Sequence, residues 1–129
     1  MPTCRILIAD DDVGILEILE ERIKAYEFFQ DPPEISCALN GEEALTYLNS
    51  KDYQLLITDY SMPIINGLEL IERVRLGDSP HKEIPVILIS GMLPALELLA
   101  PNVSTNVYSF SKPFQTCDFQ NKIKDLLCL

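Results

Sequence analysis

Asp10, Asp11 and Asp12 stand side by side where an apolar run, "RILIA", gives out. Two like unit charges about 4 Å apart repel by roughly 4 kcal/mol at an effective dielectric of 20. Carboxylates gathered beside a helix start suit a hard divalent cation, and Mg²⁺ is the best fit. It takes one or two carboxylates and keeps places for water and phosphoryl oxygens. Other apolar runs end in Asp59, in Ser90, and in Ser111-Lys112-Pro113. A carboxylate can accept a phosphoryl group as an acyl phosphate. A cation and a lysine would offset the charge of that transfer, and a hydroxyl could hold a remaining oxygen.

These groups are useful only if the chain brings the ends of the runs together. "CRILIA" (4–9), "EISCAL" (34–39), "YQLLITD" (53–59), "IPVILIS" (84–90) and "NVYSFS" (106–111) have the apolar character of buried strands. Between them lie helical patterns. Ile15, Leu19, Ile23 and Tyr26 recur at helical spacing, which predicts a helix from Val13 to about Phe28, stopped by "DPP" at 31–33. Ala44, Leu45 and Leu48 mark a second, and Leu68, Ile71 and Val74 a third that stops at Gly77. Pro94 can open a short fourth helix to Ala100, which Pro101 must end. Phe119, Ile123, Leu126 and Leu127 mark the fifth. Strict alternation of five apolar strands with five helices predicts a doubly wound α/β fold with a parallel sheet. Ligands of such sheets bind at the carboxyl ends of the strands, where the acidic residues, Ser90 and Lys112 fall.

The chain has 129 residues, 47% of them hydrophobic, enough for one good core and hence a single domain over 1–129. Its net charge of −10, from 20 acidic and 10 basic residues, argues against a general binder of nucleic-acid phosphates, though not against a local positive site. No apolar stretch is long enough to span a membrane, and the start lacks the pattern of a secretory signal. The four cysteines form no CxxC pair, so buried thiols in a reducing cytoplasm are expected. His81, in the loop "GDSPHKEIP", is expected at the surface.

Together these residues resemble the receiver domain of two-component response regulators. "DDD" after the first strand resembles its acidic pair, here Asp10 and Asp11. "DYSMPIING" (59–67) resembles its phosphoacceptor segment, Ser90 its hydroxyl, and Lys112-Pro113-Phe114 its Lys-Pro-Phe. "NGEEAL" (40–45) is similar to the start of its second helix. The likeness covers essentially the whole chain. It implies a five-stranded parallel sheet in the order 2-1-3-4-5, flavodoxin-like (βα)5. It implies phosphorylation of Asp59, Mg²⁺ held by Asp10, Asp11, Asp59 and the carbonyl of Ser61, and contacts to the phosphoryl group from Lys112 and Ser90. The implied function is cytoplasmic phosphorelay signalling: transfer from a histidine kinase or histidine phosphotransfer protein, then altered contacts with a downstream target through helix 4, strand 5 and helix 5. Enzymatic activity would be limited to self-phosphotransfer and autodephosphorylation. Homodimerisation is compatible with it; direct nucleic-acid binding and membrane insertion are not expected.

Two other readings compete. Asp10-x-Asp12 after a buried strand resembles the nucleophile motif of haloacid-dehalogenase-type phosphohydrolases, with Asp10 attacking a small phosphate. A receiver-like binding module that is never phosphorylated is the other. The sequence also departs from the receiver pattern. Ser109 stands three before Lys112, where an aromatic switch residue is usual, between Tyr108 and Phe110. The apolar fourth-helix segment, with Leu96, Leu98 and Leu99, could be tucked into the core or exposed for docking. No output domain follows the fifth helix, so a stand-alone receiver or one cut from a longer protein is expected. Ser61 and Met92, two past the acceptor and the hydroxyl, suggest slow to moderate self-dephosphorylation.

Overall fold

The computed structural model describes residues 4–77, 79–91, 99–111 and 116–129. Strands β1 (Arg5–Ala9), β2 (Glu34–Ala38), β3 (Leu55–Asp59), β4 (Val86–Ser90) and β5 (Val107–Ser111) alternate with helices. These are α1 (Val13–Lys24), α2 (Gly41–Leu48), α3 (Gly67–Leu76), α4 (Pro101–Ser104) and α5 (Thr116–Leu126). All strand pairs are parallel, in the order β2-β1-β3-β4-β5. The doubly wound sheet expected from the sequence is therefore present, in the expected order.

Period-two alternation divides the core between the sheet's two faces. Leu7, Ala9, Leu56, Val86 and Leu88 pack with residues of α2, α3 and α4. Ile6, Ile8, Leu55, Ile57, Ile87 and Ile89 pack with residues of α1 and α5. The central strands are covered on both faces, which is why their middles are apolar on both sides of the pleat. Edge strand β2 is mostly half-buried.

Local chemistry sets the helix starts. Asp12 caps α1, its carboxylate accepting from the amides of Gly14 (2.9 Å) and Ile15 (3.3 Å). Asn40 and Asn66 cap α2 and α3 in the same way. Glu43 returns the favour for α2 by accepting from the amide of Leu39.

Four expectations are corrected. Helix α1 ends at Lys24, not near Phe28; Tyr26 keeps the helical spacing but is buried from the following loop. Pro101 does not end a helix but begins the single turn of α4, where its missing N–H costs nothing. Leu99 and Ala100 are not helical and Leu99 is buried, while 92–98, which contain most of the expected fourth helix, lie outside the described residues. His81 is buried, not at the surface: its Nε2 accepts from the amide of Tyr53 at 2.8 Å. The cysteines are not buried either, with Cys4 and Cys37 half-buried and Cys117 and Cys128 exposed. Burial and the Glu20 carboxylate, to which Cys37 donates at 3.6 Å, push that thiol up to about 11. Among the described residues no helix is long and apolar enough to cross a membrane.

Candidate functional site

Strand register brings the acidic residues together. Ala9 lies opposite Thr58, so Asp10 leaves β1 level with Asp59, the last residue of β3. One carboxylate oxygen from each of Asp10, Asp11 and Asp59 lies within 4.8 Å of the other two. Asp10 and Asp59 are buried, while Asp11 is exposed. At that separation each like-charged pair repels by about 3 kcal/mol at an effective dielectric of 20. Three oxygen donors of one sign, two of them shielded from water, fit a hard divalent cation.

Asp12 stands apart from this group, since its carboxylate is occupied in capping α1. Its amide, in turn, donates to Oδ1 of Asp10 at 2.9 Å. The tight turn out of β1 thus fixes one carboxylate of the cluster and starts the helix behind it.

The loop after Asp59 is bent hard against the strand it leaves. Tyr60 extends the sheet by donating from its amide to the carbonyl of Ile89 at 2.8 Å. Gly67, the first residue of α3, donates back to the carbonyl of Tyr60 at 2.8 Å. A Cβ on Gly67 would lie 2.4 Å from the carbonyl oxygen of Asp59, so only glycine lets α3 begin there. Between them, Ile65 donates to the carbonyl of Pro63 across Ile64, which has φ of 70° and is 70% exposed. A β-branched residue in that conformation is strained. Ile64 is not a turn-forming type, and no local signal in the sequence betrays it.

Ser90 ends β4 opposite Ser111 and is buried. Ser61, whose carbonyl was expected to serve the cation, is exposed in the loop after Asp59. Lys112 lies outside the described residues; the strand leading to it ends at Ser111, next to Ser90. Asp10, Asp11 and Asp59 are thus brought together and Ser90 closes a neighbouring strand on the same edge.

Ser109 is exposed, and neither neighbour takes its place. Phe110 packs edge-on against Phe119 of α5, and Lys122 of α5 sits 4.5 Å over the ring of Tyr108. Both aromatics therefore face α5, the side of the sheet away from that of Ser109.

Residues 6–124 match the family model of the response regulator receiver domain. Chemotaxis protein CheY1 of Helicobacter pylori (strain ATCC 700392 / 26695) is 30% identical over 127 residues, covering 95% of this chain and 96% of its own. The 3',5'-cyclic-nucleotide phosphodiesterase regA of Dictyostelium discoideum is 40% identical over 90 residues, 67% of this chain but 10% of that longer protein. Chemotaxis protein CheY4 of Vibrio cholerae has the same fold, with a TM-score of 0.81 at 20% identity, over 98% of this chain and 100% of its own.

Proposed function

Since the chain belongs to the response regulator receiver domain family, we propose that it serves phosphorelay signalling by accepting a phosphoryl group on Asp59. Receivers in general take part in two-component signalling, with histidine kinases and downstream targets as partners; they are not typical catalytic enzymes. The observation that carries the reading is the convergence of the Asp10, Asp11 and Asp59 carboxylates within 4.8 Å at the carboxyl edge of a parallel sheet.

Mg²⁺ would be held by Asp10, Asp11 and Asp59 together with the carbonyl of Ser61. When bound, it supplies positive charge that offsets the carboxylates and the incoming phosphoryl oxygens. The chain's own residues do the rest. A carboxylate oxygen of Asp59 forms the new bond to phosphorus as the bond to the donor's imidazole nitrogen breaks, and the imidazole departs with that electron pair. Asp10, fixed by the Asp12 amide, holds its place beside the acceptor. Gly67 sets the position of the Asp59 backbone by its close approach. Lys112 and Ser90 contact the phosphoryl oxygens, and this biases the face built from α4, β5 and α5 towards a second state. With Ser109 at the usual aromatic position and the neighbouring rings packed on α5, that bias travels without rotation of a buried aromatic. Water later hydrolyses the acyl phosphate, slowly to moderately given Ser61 and Met92 two past the acceptor and the hydroxyl in sequence; Met92 lies outside the described residues.

Intact-protein mass after incubation with acetyl phosphate and Mg²⁺ tests the reading, beside Asp59→Asn. The wild type is expected to gain one phosphoryl mass and the variant none. If neither gains it, binding of beryllofluoride separates a short-lived adduct from a site that never reacts. A variant that still gains the mass places the acceptor elsewhere, with Asp10 the first suspect, and overturns the assignment.

A further inference from the structure

At the opposite, amino-terminal edge of the sheet lies a cavity of about 770 Å³ between the ends of α3 and α4 and the start of β5. Its volume is ordinary for a small-molecule site. Arg75, from the last turn of α3, lines it and is only 5% exposed. The guanidinium donates to the carbonyls of Lys82 (3.2 Å), Thr105 (3.0 Å) and Asn106 (3.4 Å). These bonds use its two terminal nitrogens; Nε–H has no partner among the described residues.

Carbonyl dipoles solvate a buried cation but do not neutralise it. None of the ion pairs among the described residues involves Arg75 or Lys82, a second cation on the cavity wall. Burial pulls the guanidinium below its ordinary value, the direction expected of a charge short of counter-charge; Glu83, also on the wall, acts the other way. Among the described residues of the wall, one carboxylate thus stands against two cations, in a chain whose net charge is −10. The amide of Asn102 adds a polar group, the Tyr108 hydroxyl already donates to Oδ1 of Asn106 at 2.9 Å, and Leu76, 62% exposed, adds an apolar wall.

We propose that this cavity binds a small organic oxyanion, a carboxylate or a phosphate monoester, whose apolar body lies on Leu76 and Tyr108. A planar guanidinium with a spare donor suits either group. The ligand would join the end of α3 to the start of β5 from the edge of the sheet remote from Asp59. The inference does not depend on phosphorylation of Asp59.

Amide ¹H–¹⁵N spectra of the full chain, in Mg²⁺-free buffer, test it. The probes are sodium benzoate and sodium phosphate, with sodium chloride at matched ionic strength. Saturating shifts at the amides of Thr105, Asn106 and Tyr108 are expected, with a millimolar dissociation constant and no counterpart in chloride. A response to benzoate alone marks a carboxylate ligand; a response to phosphate alone marks a phosphate ester. Lys82→Gln, an exposed substitution, should weaken binding about tenfold, and Glu83→Gln should tighten it. Shifts that grow linearly, that chloride reproduces, that appear only around Asp10 and Asp59, or that Lys82→Gln leaves unchanged would overturn the proposal.

Discussion

The two edges of the sheet handle buried polar groups in opposite ways. At the amino-terminal edge, charge and polarity are spent on the chain itself. Arg75 holds three backbone carbonyls, and His81 accepts the Tyr53 amide on Nε2, which leaves its proton on Nδ1, 3.3 Å from Oγ of Ser79. At the carboxyl edge, Asp10, Asp11 and Asp59 crowd together against their own repulsion. The first arrangement joins segments distant in sequence; the second holds three groups of one sign together, a donor set that fits a divalent cation. Loss of Arg75 should therefore destabilise, whereas removal of the Asp59 charge should relieve repulsion.

The largest effect is expected from Arg75→Met. Three carbonyls lose their donor, and urea unfolding should show a loss of about 3 kcal/mol. A loss near zero would mean that water replaces the guanidinium and that the edges differ less than stated. Asp59→Asn should act in the opposite sense, raising stability by about 2 kcal/mol in Mg²⁺-free buffer as repulsion is relieved. Mg²⁺ should then raise the melting temperature of the wild type more than that of the variant. Equal shifts in the two proteins would argue against a cation site that includes Asp59.

Ile64→Gly sharpens the comparison within the carboxyl edge. It removes the strain of a β-branched residue at positive φ, and chemical denaturation should show a gain of about 1 kcal/mol. The smallest effect concerns a surface pair. Lys51 and Arg5 hold the Glu34 carboxyl below its ordinary range by hydrogen bonds. A lowered folded value means that this stabilisation is present at neutral pH and is lost as pH falls through that value. Melting curves of wild type and Glu34→Gln should differ slightly at pH 7 and converge in acid, below the ordinary carboxyl value of 4.5.

Much of this was legible along the chain, and the exceptions have a common cause. Strands β1, β3 and β4 carry unbroken apolar stretches (6–9, 55–57 and 86–89) because helices cover both faces, so burial writes them directly into the sequence. Asp10, Asp11, Asp59 and Ser90 were readable because each follows or ends such a run. Tyr26 misled because a buried loop residue can continue a helical spacing after the helix has ended. His81 misled because its burial depends on Tyr53, 28 residues earlier, while its own neighbours form a polar, proline-containing loop. Arg75 looks like any charge on an amphipathic helix, since the carbonyls it holds at Thr105 and Asn106 lie 30 and 31 residues further on. Ile64 left no trace because strain belongs to backbone angles.

The Cys37–Glu20 contact has a practical consequence for labelling. With its thiol pushed up to about 11, Cys37 is thiolate in only about one molecule in ten thousand at neutral pH, and the thiolate is the form that attacks maleimides and peroxides. Cys117 and Cys128 are exposed, on the first turn of α5 and beyond its end. A brief alkylation at neutral pH should therefore tag the two ends of α5 and spare β2. Probes placed there would turn that helix into an optical ruler for any movement of α5 against the sheet.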